Sequence, residues 1–380
     1  MNNNTKEGGL RLRGLLGIML ASSLTIMVGS AVTPALPQLS QVYHIPLRLS
    51  NLLVTMPALG VFIAAFFAGK IIDKKGPYFV CKWGLLFYGI LGIAGFLMPN
   101  APLLLLDRLL LGFATACVMT SSTGLLSAFY SGKKRLRVIA IQGMAIELGG
   151  IIFLSIGGFL AELAWQGPFF IYAIALVAWL MVIAFVPGKM PVLEEEVAEE
   201  EHTGKRSVWP IIAITFFAML VFFSGIVNLP IRLQGSLHLS QSFTGNFLAF
   251  ISFIAVITAG IMPKIVKAIT AKYTLMLAFV SFAVAFALYH TQDTMPLLIL
   301  AAVFMGIGFG CTIPLLNNLT VDRSPLAVRG RNLGFYSMAT FAGQFSTSFL
   351  ASSIDISIIF GVVACIAIAV AALILLFFRN

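Results

Sequence analysis

PLLLLDRLLLGFATACVMTSSTGL, residues 102–125, sets two adjacent charges, Asp107 and Arg108, inside an otherwise apolar run. About 20 such residues cross about 30 Å of hydrocarbon as a helix, and ionisable residues at that depth are costly enough to mark a functional or packing site. Eleven further runs of the same kind lie near 14–34, 50–70, 79–99, 138–160, 168–187, 209–231, 243–263, 273–290, 296–319, 332–353 and 356–377. With 59% hydrophobic and 10% charged residues, the 380-residue chain is too apolar for a soluble domain. The reading is an all-α membrane protein of twelve transmembrane helices, and its 34 glycines suit close helix contacts.

A net charge of +10 raises nucleic acid as a partner, so the placement of the basic residues decides. Twelve spans with both termini on one side put 21 of the 24 Lys and Arg on that side; Arg48 and Arg232 fall opposite and Arg108 lies within the membrane. This is the bias that orients membrane proteins. It predicts a multi-pass protein with cytoplasmic termini, in a bacterial inner membrane by its short loops, and no nucleic-acid partner. Cys81, Cys117, Cys311 and Cys365 are scattered singly and His44, His202, His238 and His290 fall in loops or at span ends, so no metal site or cofactor is implied. The first apolar run follows Arg11 and Arg13 and could pass for a cleaved signal; the internal repeat needs it as a span.

That repeat has an offset near 195 residues. Gly29 and Pro34 match Gly225 and Pro230, and Gly112-Phe113 matches Gly308-Phe309, both at 196. Arg135, Arg137, Met144, Ala145 and Gly149 match Arg329, Arg331, Met338, Ala339 and Gly343 at 194. The expected organisation is two pseudo-symmetric six-helix bundles, 1–187 and 209–380, joined by a cytoplasmic linker at 188–208. Such parallel repeats occur in secondary transporters, whose substrate sites lie between the halves near the midplane.

Between spans two and three, Gly69-Lys70-Ile71-Ile72-Asp73-Lys74-Lys75-Gly76 resembles the GxxxD(R/K)xG loop of the major facilitator superfamily. Asp107-Arg108 followed by Gly112 resembles its RxxxG motif. Pro34-Ala35-Leu36-Pro37, and Trp165 with Phe169 and Phe170, resemble features of its twelve-span drug and metabolite proton antiporters. The resemblance implies gating by Gly69, Asp73, Lys74 and Gly76, and an Arg108 that faces the central cavity. There are departures. The loop ends Gly76-Pro77-Tyr78 where basic residues are usual, and its second-half counterpart is reduced to Gly260, Lys264 and Lys267. In span five the antiporter pattern GxxxGPxxGG keeps Gly149, Gly157 and Gly158 but carries Phe153-Leu154 for the central Gly-Pro, so no kink is expected.

Glu147 lies about ten residues, hence about 15 Å, into its span and close to the midplane. It is either a proton carrier or a structural acid bonded to a neighbouring helix. Asp107 and Arg108 lie about 8 Å from the outer end of span four. Adjacent helical residues point about 100° apart, so the two are expected not to pair. Arg108 is read as a holder of an anionic substrate group or as a packing ion, and Asp107 as a structural acid or a second proton-coupling group. The second half carries no deep acid and offers Asn228, Asn317, Asn318, Thr340 and Gln344 either for substrate or for bonds between helices. Gly306, Gly308 and Gly310 let span ten bend or pack closely. An intramembrane enzyme would need a nucleophile, base or metal cluster at depth, and a sensor a soluble domain. The expected function is therefore proton-coupled export of a small molecule by a monomer, with uptake or facilitated diffusion as the alternative.

Overall fold

The computed structural model describes residues 10–188 and 207–378. Most of the expected linker lies outside the described residues. With no water in hydrocarbon to satisfy backbone N–H and C=O groups, apolar runs close their hydrogen bonds internally as helices. We label twelve long helices: α1 Leu12–Ser30, α2 Leu52–Lys75, α3 Pro77–Ala94, α4 Ala101–Phe129, α5 Gly132–Leu163, α6 Ile174–Phe185, α7 Trp209–Gly235, α8 241–269, α9 271–291, α10 Met295–Asp322, α11 Leu326–Ser353 and α12 Ile356–Phe377. Proline stands in the first turn of α3, α4, α7 and α10, where its missing N–H costs nothing. Side chains of Asn100 and Ser240 cap α4 and α8, each accepting a backbone N–H at 3.1 Å.

Among the described residues, ten helical stretches are long and apolar enough to cross a membrane. One of them, Gln241–Thr291, is the α8–α9 pair, interrupted where Thr270 leaves helical geometry. The helix outside that group is α11, whose Ser337, Thr340, Gln344, Ser346, Thr347 and Ser348 lower its apolarity. Its polar face turns toward the other half of the molecule, so lipid does not exclude it.

Two hydrophobic cores divide the chain. One is built almost entirely from residues 18–186, the other almost entirely from residues 211–378. The halves meet where α2 packs on α11 and α5 packs on α8, two contacts that exchange under the repeat. The repeat is also written in the backbone. His44 and His238, 194 residues apart, both turn with φ near 50°, and Gly76 and Thr270, also 194 apart, have φ of 80° and 71° with ψ of 155° and 163°. In both halves these are the same bends, after the first helix and between the second and third.

Glycines set the distances between helices. A Cβ on Gly60 or Gly112 would overlap the facing backbone, so the glycine of the RxxxG motif holds α2 against α4. In α10, Gly306 and Gly310 press on α8 and Gly308 on Phe282 of α9, so these glycines serve close packing. α5 runs unbroken from Gly132 to Leu163, as expected without its proline.

Gly76 and Thr270 share a backbone region open essentially only to glycine, at a cost of about 1–3 kcal/mol for other residues. Thr270→Gly should therefore raise stability by about 1 kcal/mol, read as a higher melting temperature in detergent. Gly76→Ala should lower it. A Thr270→Gly protein no more stable than the parent would mean that the threonine side chain repays the strain.

Candidate functional site

The halves are joined toward the face opposite the basic loops. Asn51, at the start of α2, donates to Asn228 Oδ1 at 3.2 Å, and Thr55 Oγ1 bonds Ser348 Oγ of α11. Gln234 donates to the Pro34 carbonyl at 2.7 Å, and the Ser242 amide to Glu162 at 3.1 Å. Arg48 pairs with Asp355 at 3.1 Å, an exposed bridge of small energetic weight. Below them, Gly158 of α5 and Gly245 of α8 touch so closely that a Cβ on either would meet the other helix.

One stripe of α5 follows the gap between the halves away from this contact. Gly143, Glu147, Ile151, Leu154 and Gly158 recur at helical spacing and share a face. Gly158 is jammed against α8, and Leu154 and Ile151 pack into the core of the second half. Gly143, four turns from Gly158, has nothing within 4 Å of where a Cβ would stand. Gly330 and Gly334 at the start of α11 are likewise open. The space between the halves is thus closed at one end and open toward the basic face.

Glu147 sits on this stripe at the middle of α5, between the sealed and open ends. It is half-buried, and in the other half the Tyr336 hydroxyl of α11 is committed to the Ile313 carbonyl at 3.0 Å. Among the described residues, Glu147 makes no hydrogen bond or ion pair. An unpaired carboxylate in a low-dielectric wall is costly while charged and cheap while protonated.

Arg108 and Asp107 depart from expectation. They pair: Arg108 Nε and Nη2 donate to Asp107 Oδ2 at 3.0 and 2.6 Å. Their Cβ atoms do diverge around α4, but the long guanidinium arm folds back across the gap. Nor does Arg108 face the cavity. It is 1% exposed, donates to the carbonyls of Leu91 and Gly92, and lies 5.2 and 5.5 Å from the ring centres of Phe169 and Tyr172. A Cβ at Gly95 would overlap its guanidinium. All these partners belong to the first half, so the pair ties α3, α4 and the segment before α6 together.

The other candidates separate by depth. Asn228 is taken up in the seal. On α11, Thr340 and Gln344 continue the face of Ser348 toward the open end. Gln344 is buried and reaches Gly29 of α1, while Thr340 bonds the Tyr336 carbonyl at 3.0 Å. Asn317 and Asn318 are exposed near the basic end of α10. Gly69, Asp73 and Lys74 are exposed in the last turns of α2, with Gly76 ending it; Asp73 makes no ion pair among the described residues.

Sequence reading passed over Asn51, Thr55, Ser348 and Tyr336, which line the junction between halves. Asn51 and Thr55 stand one turn apart at the start of a span, a pattern that hints at a polar contact. Nothing in the sequence names partners 177 and 293 residues away.

Comparison with known proteins agrees with this architecture. The chain is 32% identical over 190 residues to the uncharacterized MFS-type transporter YceJ of Bacillus subtilis, covering 46% of each chain. It is 28% identical over 218 residues to multidrug resistance protein 1 of Bacillus subtilis, covering 56% of each. The matches span about half the length of these curated relatives. Its fold superposes on the xylose transporter XylE from E. coli, in an inward-open conformation, with a TM-score of 0.76 at 13% identity over 96% of each chain. The family description of the Major Facilitator Superfamily matches residues 18–348, and with twelve long helices in two repeated halves among the described residues the chain belongs to that superfamily.

Proposed function

We propose that this protein is a proton-coupled exporter of small amphipathic molecules, working by alternating access between its two halves, 1–187 and 209–380. The basic face is the cytoplasmic one, carrying both termini and the 188–208 linker, so the conformation described above is open to the cytoplasm. Substrate enters between the halves from that side and meets Glu147, Thr340, Gln344 and Asn317. The seal of Asn51, Thr55, Asn228 and Ser348 then parts as the cytoplasmic ends close, with Gly69, Asp73, Lys74 and Gly76 guiding that closure. The observation that carries this reading is the unpaired Glu147 at mid-membrane, on the face of α5 turned to the other half.

Glu147 binds a proton in one facing state and releases it in the other, and substrate competes for the deprotonated form. Because Arg108 is neutralised by Asp107 and enclosed, the charge that faces the cavity here is an acid. Cationic or neutral amphipaths fit it better than anions. The name of the Bacillus subtilis multidrug resistance protein supports export of drug-like compounds over uptake of a nutrient.

In proteoliposomes with a trapped pH dye, adding a cationic amphipath should move protons against the compound. Glu147→Gln should abolish that movement, while its melting temperature stays close to the parent's because no partner is lost. Compound flux without proton movement in the parent would make the protein a facilitator and Glu147 a structural residue.

A Thr55→Cys/Ser348→Cys pair should cross-link and stop transport until reduced. Full transport by the cross-linked protein would mean that the halves do not separate at this point.

Arg108→Met strands a buried Asp107 and should cost about 3–5 kcal/mol of stability. Adding Asp107→Asn should recover much of the loss in the same melting experiment. An Arg108→Met protein of normal stability that has lost substrate binding would return Arg108 to the cavity.

A further inference from the structure

The elbow between α8 and α9 carries a groove of about 510 Å³ on the outside of the second half. Ala268, Ile269, Thr270, Tyr273, Leu277 and Val280 line it. Tyr273, Leu277 and Val280 follow one another at helical spacing on α9 and are exposed, as is Ile269 before the bend. An apolar groove at this depth meets acyl chains.

Three lysines border it. Lys264 and Lys267 share a face of α8 with the groove-lining Ala268, and Lys272 precedes Tyr273. Lys264 and Lys267 are exposed and make no ion pair among the described residues. No Asp or Glu occurs in the sequence between Glu201 and Asp293. The repeat sharpens this point. At the 194-residue offset that relates Gly76 to Thr270, Lys264 matches Lys70, but Lys267 matches Asp73. The first-half elbow carries an acid among its lysines, and the second half has replaced that acid with a base.

We infer that the α8–α9 elbow is a binding site for one anionic phospholipid, its head group held by Lys264, Lys267 and Lys272 and an acyl chain lying in the groove along Tyr273, Leu277 and Val280. Two complementary surfaces, one cationic and one apolar, adjoin where α8 ends, as the two parts of such a lipid require. The acidic linker would satisfy the lysines but leave the apolar groove empty, which favours the lipid. The inference does not rest on the transport reading, because its test reads binding alone.

The test is native mass spectrometry of the full chain in detergent, titrated with phosphatidylglycerol, with phosphatidylcholine of the same acyl chains, and with inorganic phosphate. Phosphatidylglycerol should bind in a one-to-one complex, at least about tenfold more tightly than phosphatidylcholine. The Lys264→Gln/Lys267→Gln/Lys272→Gln variant should lose that preference, and Val280→Trp, which fills the groove, should weaken both lipids. Equal binding of the two lipids by the parent, or a preference untouched in the triple variant, would overturn the site. So would inorganic phosphate that displaces the lipid fully, or tighter lipid binding once the linker glutamates are changed to glutamine.

Discussion

Hydrocarbon offers no partner to a polar group, and that constraint shapes this molecule from its helices to its few buried charges. Backbone groups are satisfied by helices, and serines and threonines turn their hydroxyls back to carbonyls of the preceding turn, as Ser22, Thr115 and Ser224 do. Arg108 obeys the same rule at greater cost, drawing on a carboxylate, two carbonyls and two aromatic faces. Against that background the unpaired carboxylate of Glu147 stands out. Even the Asp107–Arg108 pair leaves Asp107 Oδ1 and Arg108 Nη1 without a partner, whereas Glu147 makes no hydrogen bond or ion pair at all among the described residues.

The seal between the halves follows a second physical logic. Its bonds are mostly neutral hydrogen bonds, with one exposed amide-to-carboxylate bond at Glu162 and one exposed ion pair, each of modest weight alone. Buried hydrophobic cores hold each half together internally, while the junction combines these polar bonds with a few apolar contacts, such as Leu154 and Ile151 of α5 against the second half. The close crossing of Gly158 and Gly245 gives the halves a firm point of contact just inside it.

The two elbows show how a repeat diverges under one backbone. Gly76 and Thr270 hold nearly the same strained geometry, yet one half supplies a glycine and an acid where the other supplies a threonine and a base. Conformation is retained because the helices on either side must turn at the same place. Side-chain chemistry is free to differ because the elbow lies at the membrane surface, where water and head groups accept either charge.

Much of the fold was legible in sequence because apolar length and internal offset are one-dimensional quantities. The span count, the 194-residue offset later seen at His44 and His238, and the mid-helix position of Glu147 all follow from spacing along the chain. α11 was readable as a span from its apolar run at 332–353, despite its serines and threonines. Tertiary structure alone decided which side chains meet. Helical periodicity places the Cβ atoms of Asp107 and Arg108 apart but says nothing of where a flexible guanidinium arm ends, and only the packing of α3, α4 and Phe169 folds it onto its neighbour. It likewise paired Asn51 with Asn228 and Thr55 with Ser348, because contacts between halves depend on how two rigid bundles lean together, a relation that no local pattern encodes.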